Sequence, residues 1–230
     1  MKPYFSENGI QIYLGNSFEI VPELNSVDIL VTDPPYGVNW QSNSRRKFAS
    51  YKPLMGDDGS LDIQKALSLF VSVLKKGRHA YVFGQYDLSK IKIGSSCELI
   101  WDKGTKSGGH LSLPWGKQHE TITFFTADNK APGNGGLSAR IRKGSIIRCP
   151  RVEGTVSLHP TQKPVQLLRE IIESSSCFGE TVLDPFAGSC STLLAAKMED
   201  RKAIGVELDE KYAEIGAKRL QAYFQKEYVK

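Results

Sequence analysis

Two apolar runs, each closed by an aspartate and a proline, set most of what this chain can fold into. Val27-Asp28-Ile29-Leu30-Val31-Thr32 leads into Asp33-Pro34-Pro35-Tyr36, and Thr181-Val182-Leu183 leads into Asp184-Pro185-Phe186-Ala187-Gly188-Ser189. The first run is mostly apolar rather than alternating, as expected of a parallel strand covered on both faces. Proline fixes φ and removes an amide donor, so the chain must leave the sheet where each run stops. Each carboxylate is therefore predicted at the end of a buried strand.

The rest of the chain alternates strand and helix on both sides of an irregular middle. Strands are predicted at Gln11–Leu14, Val27–Thr32, Ala80–Phe83, Glu98–Trp101, Thr121–Phe125, Thr181–Asp184 and Ala203–Glu207. Leu67, Phe70, Val71 and Leu74 recur at helical spacing, which predicts an amphipathic helix over Leu61–Lys76 ended by Gly77. Further helices are predicted over Ser17–Leu24, Pro164–Ser175, Ser191–Glu199 and Glu210–Gln225. This pattern predicts an α/β fold with a doubly wound, mostly parallel sheet. Lys103–Lys117 and Ala127–Val156 are rich in glycine and lysine and show no period. The predicted organisation is an α/β domain built from 1–102 and 157–230, with 103–156 inserted in it.

Size and charge narrow the function. At 230 residues, one domain with a sizeable core is expected. No stretch approaches the ~18 apolar residues of a membrane helix and no signal peptide is visible, so a cytoplasmic location is expected. Cys97, Cys149, Cys177 and Cys190 form no ligand-spaced set, so neither a disulfide framework nor a metal site is expected. Net charge is +5, and Asp102–Arg151 holds nine Lys/Arg against three acids. A basic segment of that kind points to nucleic-acid contact, as does the acid-free stretch holding Arg45, Arg46 and Lys47.

The two closing motifs carry the chemistry. Strand, small-residue turn and helix after Asp184 form a nucleotide-binding geometry, in which backbone N–H groups can approach a ligand. Glu207 follows Asp184 by 23 residues, about the spacing at which an acid meets ribose hydroxyls. The chain lacks both a G-x-G-x-x-G and a P-loop signature, which argues against a nicotinamide dinucleotide and ATP hydrolysis. On the other side, the Asp33 carboxylate and the Pro34 carbonyl are two acceptors suited to the two N–H donors of an exocyclic base amine. Pro35 keeps that loop extended, and Tyr36 offers a stacking face. An amine inside a duplex is reached only if its base is flipped out.

Asp33-Pro34-Pro35-Tyr36 and Asp184-Pro185-Phe186-Ala187-Gly188-Ser189, in that order, resemble the amino-directed DNA methyltransferases of the permuted β class. The resemblance spans about Gln11 to Phe224. It implies a Rossmann-like methyltransferase fold, S-adenosylmethionine as cofactor, and 103–156 as a target-recognition segment. It implies cofactor contacts from Asn16, Asp33, His159, Thr161, Lys163, Asp184, Phe186, Ala187, Gly188, Ser189 and Glu207. Catalysis falls to Asp33, Pro34, Pro35 and Tyr36, and DNA contact to Arg45, Arg46, Lys47, Arg140, Arg142 and Lys143. Aspartate at the first motif position implies N6 of adenine; N4 of cytosine is the near alternative, and a catalytically silent DNA-binding protein the distant one. Expected partners are double-stranded DNA, a second copy of the chain, and a restriction endonuclease acting on the same site. The chain departs from the family's pattern at Cys190, where a second glycine is usual, and at Asn16, where aspartate is common.

Overall fold

The computed structural model describes residues 1–35, 61–104, 114–128, 143–152 and 162–227. Among these, strands β1 (Phe5–Glu7), β2 (Ile10–Leu14), β3 (Val27–Thr32), β4 (Leu74–Phe83), β5 (Ile93–Asp102), β6 (His119–Ala127), β7 (Ile146–Arg148), β8 (Thr181–Asp184) and β9 (Lys202–Glu207) join one sheet. Their order is β1-β2-β9-β8-β3-β4-β6-β5-β7. Neighbours from β2 to β4 run parallel, while β6 is antiparallel to both β4 and β5. Within 103–156, therefore, β6 and β7 are strands of the main sheet.

Helices α1 (Ser17–Ile20), α2 (Ile63–Ser72), α3 (Val165–Ser175), α4 (Ser191–Met198) and α5 (Glu210–Glu227) cover the two faces. Alternate side chains of the buried strands divide between them, as period-two geometry requires. Ile29, Val31, Val182 and Ala203 pack with Leu168 and Ile172 of α3, Leu193 of α4 and Phe224 of α5. Leu30, Leu183 and Val206 pack with Ile20 of α1 and with Leu67 and Phe70 of α2. All six residues of β3 are buried, including Asp28, whose carboxylate is met by Lys75, Arg78 and the Thr181 N–H. That ion cluster ties β3, β4 and β8 together at the end of the sheet opposite the closing motifs.

Two local features differ from the sequence expectation. Helix α2 stops at Ser72 rather than at Lys76, and Gly77 lies inside β4 with φ +72°. The cause is pairing: Val27 N–H donates to the Val73 carbonyl, and Val27 lies opposite Leu74 before the register shifts. An apolar pair that reads as helical spacing is thus consumed by the strand. The second difference is β1, which folds back on β2 through Asn8 and Gly9, both at positive φ. Asn-Gly is the residue pair that a tight two-residue hairpin turn favours.

The chain leaves β8 for β9 on one side and leaves β3 for β4 on the other. The neighbouring pair β8 and β3 is thus the topological switch point, where open α/β sheets leave a crevice beyond the strand ends. Asp184 ends β8, and Asp33 follows the end of β3 directly.

Candidate active site

Asp184 is buried at the foot of the turn that follows β8. It accepts hydrogen bonds from Thr192 and from the Phe186 N–H (3.2 Å), but burial outweighs them and pushes its pKa up to about 7. The turn above it is pinned to β9. Ala187 N–H donates to the Val206 carbonyl at 2.9 Å, and Gly188 N–H donates to Glu207 Oε2 at 2.7 Å. Gly205 makes this approach possible, since a Cβ there would stand 2.9 Å from the Ala187 Cβ and from both Leu193 methyls. Phe186 sets its ring edge-on to Phe70, with centroids 5.6 Å apart. Ser189 is buried, and its carbonyl accepts from Arg219 at 3.0 Å.

Glu207 is half-buried at the rim of that turn, its other oxygen taking the Asp209 N–H at 2.9 Å. Burial raises its pKa, against the pull of those N–H donors. Asn16 stands beside it, because Gly15 N–H donates to the Glu207 carbonyl. Its side chain caps α1, accepting from Phe18 N–H at 3.0 Å. A fixed carboxylate, a small-residue turn and an aromatic edge are the chemistry that a ribosyl ligand with hydroxyl donors needs. The residues present fit S-adenosylmethionine on that count.

Cys190 explains both the usual glycine and how the chain manages without it. Its backbone is left-handed (φ +59°, ψ 36°), a conformation that disfavours a side chain. Its Sγ is buried against Gly216 of α5, where a Cβ would overlap Sγ and lie 3.0 Å from the Cys190 Cβ. Gly216 thus leaves the space that the Cys190 side chain fills. Gly216→Ala is expected to lower the melting temperature by several degrees despite alanine's better helix propensity, since overpacking costs ~1–3 kcal/mol. Cys190→Gly in the same chain should restore it. Thermal melts of the two single variants and the double variant check this; additive losses would contradict it.

On the other side of the switch point, Asp33 enters a chain of charges. Lys163, buried just ahead of α3, places Nζ 2.7 Å from Asp33 Oδ2 and 3.3 Å from Glu120 Oε2. Lys103 Nζ lies 2.5 Å from Glu120 Oε1 and 4.9 Å from the Trp101 ring centroid. Burial alone would lower the Lys163 pKa, but Asp33 and Glu120 overrule it and hold it above the ordinary lysine value. Tyr86 borders the same carboxylate: burial, then the Asp33 charge, pushes its phenol up, and its hydroxyl donates to the Phe83 carbonyl at 3.0 Å. Pro34 is buried and Pro35 half-buried beside Asp33.

The two strand ends read from the sequence lie side by side in the sheet. Sequence reading gave no site role to Glu120 and Lys103, which it took as framework beside the recognition segment, nor to Tyr86, Gly216 and Arg219, which carry no motif. Lys143, expected at DNA, pairs with Glu173 at 3.0 Å and Glu170 at 3.9 Å. Tyr36, Arg45, Arg46, Lys47, Arg140, Arg142, His159 and Thr161 lie outside the described residues. Among the described residues, no group of three His, Cys, Asp or Glu could hold a metal ion.

The DNA methylase family matches residues 27–218 of the chain. The chain is 28% identical to the Type II methyltransferase M2.DpnII of Streptococcus pneumoniae, over 96% of its own length and 93% of that protein's. It is 29% identical to the DNA adenine methyltransferase YhdJ of Escherichia coli, over 85% and 76%. The fold resembles that of M1.HpyAVI in complex with SAM, with a TM-score of 0.70 at 22% identity, covering 92% of this chain and 98% of that one. It equally resembles the cytosine-N4-specific PvuII DNA methyltransferase, with a TM-score of 0.71 at 16% identity, covering 94% and 88%.

Proposed function

This chain belongs to the DNA methylase family, and we propose that it methylates the N6 amine of a flipped adenine in double-stranded DNA with S-adenosylmethionine as donor. The observation that carries the reading is the juxtaposition of Asp33 and Asp184 beyond adjacent strands at the switch point. The family match adds the reaction class. The adenine methyltransferase among the relatives favours adenine over cytosine, as does aspartate at position 33. The fold alone is neutral between them, because the PvuII enzyme shares it.

The donor supplies an electrophilic methyl group on a sulfonium sulfur. Glu207 would accept from its ribose hydroxyls, and the 186–189 turn would carry the rest of the nucleoside. Asn16, His159 and Thr161 are proposed around the donor's amino-acid end, with Asp33 at the boundary of both pockets and Lys163 held against Asp33 and Glu120 on the base side. Asp33 and the Pro34 carbonyl would accept the two N–H bonds of the base amine. That arrangement would localise the nitrogen lone pair and aim it at the methyl group that a bound donor would supply, with the sulfur leaving as a neutral thioether. The proton lost by the amine leaves on the side of the Asp33 carboxylate. Such catalysis is mainly positioning and electrostatics, with Tyr36 stacking on the base.

Residues 103–156 are proposed to read the target site, with Arg45, Arg46, Lys47, Arg140 and Arg142 at phosphates; Lys143 is instead paired with Glu173 and Glu170. A homodimer and a restriction endonuclease of the same specificity are proposed partners, the second because M2.DpnII is a Type II methyltransferase. No helix among the described residues is long and apolar enough to cross a membrane. We place the protein in the cytoplasm, where its four free cysteines would stay reduced. Unmethylated duplex DNA incubated with the protein and methyl-labelled S-adenosylmethionine should gain label. Donor binding without label in DNA would overturn the substrate assignment.

A further inference from the structure

The charge chain behind Asp33 contains one carboxylate that neither closing motif supplies. Glu120 sits on β6, two strands from β3 in the sheet, and reaches the site from the side opposite Asp33. We propose that Glu120 is a positioning residue for methyl transfer: it clamps the Lys163 ammonium against Asp33 and so fixes the carboxylate that receives the base amine. The proposal rests on the reading of Asp33 given above.

Three observations carry it. Lys163 is buried, and a buried ammonium needs its charge answered. Asp33, just beyond β3, at 2.7 Å and Glu120 of β6 at 3.3 Å answer it as ion pairs, so the lysine head is held between two fixed points. Lys103 in turn holds the far oxygen of Glu120, which balances two cations against two anions in a partly dry site. The Phe83 ring, 4.9 Å from Lys163 Nζ, closes another side.

With both carboxylates present, the ammonium belongs to the base side. Without Glu120, Lys163 would keep Asp33 but lose the second fixed point that holds its head. Glu120 never touches substrate in this account; it acts through Lys163, and Lys163 through Asp33. Among the described residues, Asp184 on β8 and Tyr86 after β4 also face Asp33.

The test compares wild type with Glu120→Gln, Lys163→Met, Lys163→Arg and the Glu120→Gln/Lys163→Met pair. Two quantities are measured: the single-turnover methylation rate at saturating donor and DNA, and the donor Kd by direct titration. Glu120→Gln should slow transfer by about 10- to 100-fold, the range seen when a supporting partner is lost, with the donor Kd unchanged. Lys163→Met should slow it at least as much, Lys163→Arg should recover part of the rate, and the double variant should be no slower than Lys163→Met alone. If Lys163→Met fails to fold, Glu120→Gln and Lys163→Arg carry the test. A wild-type rate in Glu120→Gln overturns the proposal while leaving the function intact. Weakened donor binding in Lys163→Met, with an unchanged saturated rate, overturns it by assigning the lysine to the donor. A wild type that binds donor and methylates no DNA removes the function first, and the clamp with it.

Discussion

Asp33→Ala is expected to slow methyl transfer by about 10²- to 10³-fold while donor binding survives. The estimate follows from losing one preorganised polar partner of a reacting group, which costs roughly 2.7–4 kcal/mol of transition-state stabilisation. Asp33 is the motif carboxylate proposed on the base side, and among the described residues the nearby Glu120 is occupied by Lys163 and Lys103. The donor turn hangs from β9 through Ala187 and Gly188 and does not depend on Asp33. Removing Asp33 also leaves the buried Lys163 with Glu120 alone. A stability loss of about 1–3 kcal/mol should therefore accompany the kinetic one. Asp33→Asn keeps an acceptor oxygen and should be the milder variant on both counts. Single-turnover rates, donor titrations and melts separate the effects; near-normal turnover in Asp33→Ala would sink the base-side assignment.

The second large effect is a pH dependence of stability. The Asp184 carboxyl is driven by burial from an ordinary 3.8 up to about 7 in the fold. A raised folded-state value means that the neutral acid is the form the fold accepts. The contribution is fully present below about pH 4 and is lost as pH rises through about 7. Three pH units of displacement correspond to about 4 kcal/mol at most. Asp184→Asn removes the ionisation and keeps an oxygen to accept the Phe186 N–H. Its melting temperature relative to wild type should climb between pH 4 and pH 7 and then level off. A difference that stays flat across that range would show that Asp184 ionises freely in the folded protein. His79, buried against Ser175 and lowered by burial and by Arg78, works in the opposite sense. It weakens the fold as pH falls below 6.5, in both proteins alike, so it cancels in the comparison.

What the sequence made legible was the pair of buried strand ends and the helices flanking them, because those signals are local. An apolar run stopped by Asp-Pro needs no distant partner to be read. The Asn8-Gly9 hairpin was equally local, but β1 is only three residues long and gives no run to read. The end of α2 was obscured because Leu74 fits helical spacing and β3 pairing equally well, and the sheet decides between them. Glu120 reads in the sequence as framework beside the recognition segment, and a site role for it was out of reach for a different reason. It lies 87 residues from Asp33 in sequence, and only the antiparallel placement of β6 beside β4 brings it to Lys163. Gly216 was hidden likewise: its meaning depends on a cysteine 26 residues earlier, whose side chain happens to fill the space a Cβ would need. Residues that act by receiving another residue leave no spacing to find.

The measurement that bears most directly on the account is a nucleoside digest of unmethylated duplex DNA after incubation with the protein and methyl-labelled S-adenosylmethionine. The account predicts label in N6-methyladenosine, and its loss when Asp33 is replaced by alanine. Label confined to N4-methylcytosine would contradict the base assignment while keeping the site and its chemistry. A protein that binds the donor and leaves every nucleoside unlabelled would contradict the account as a whole.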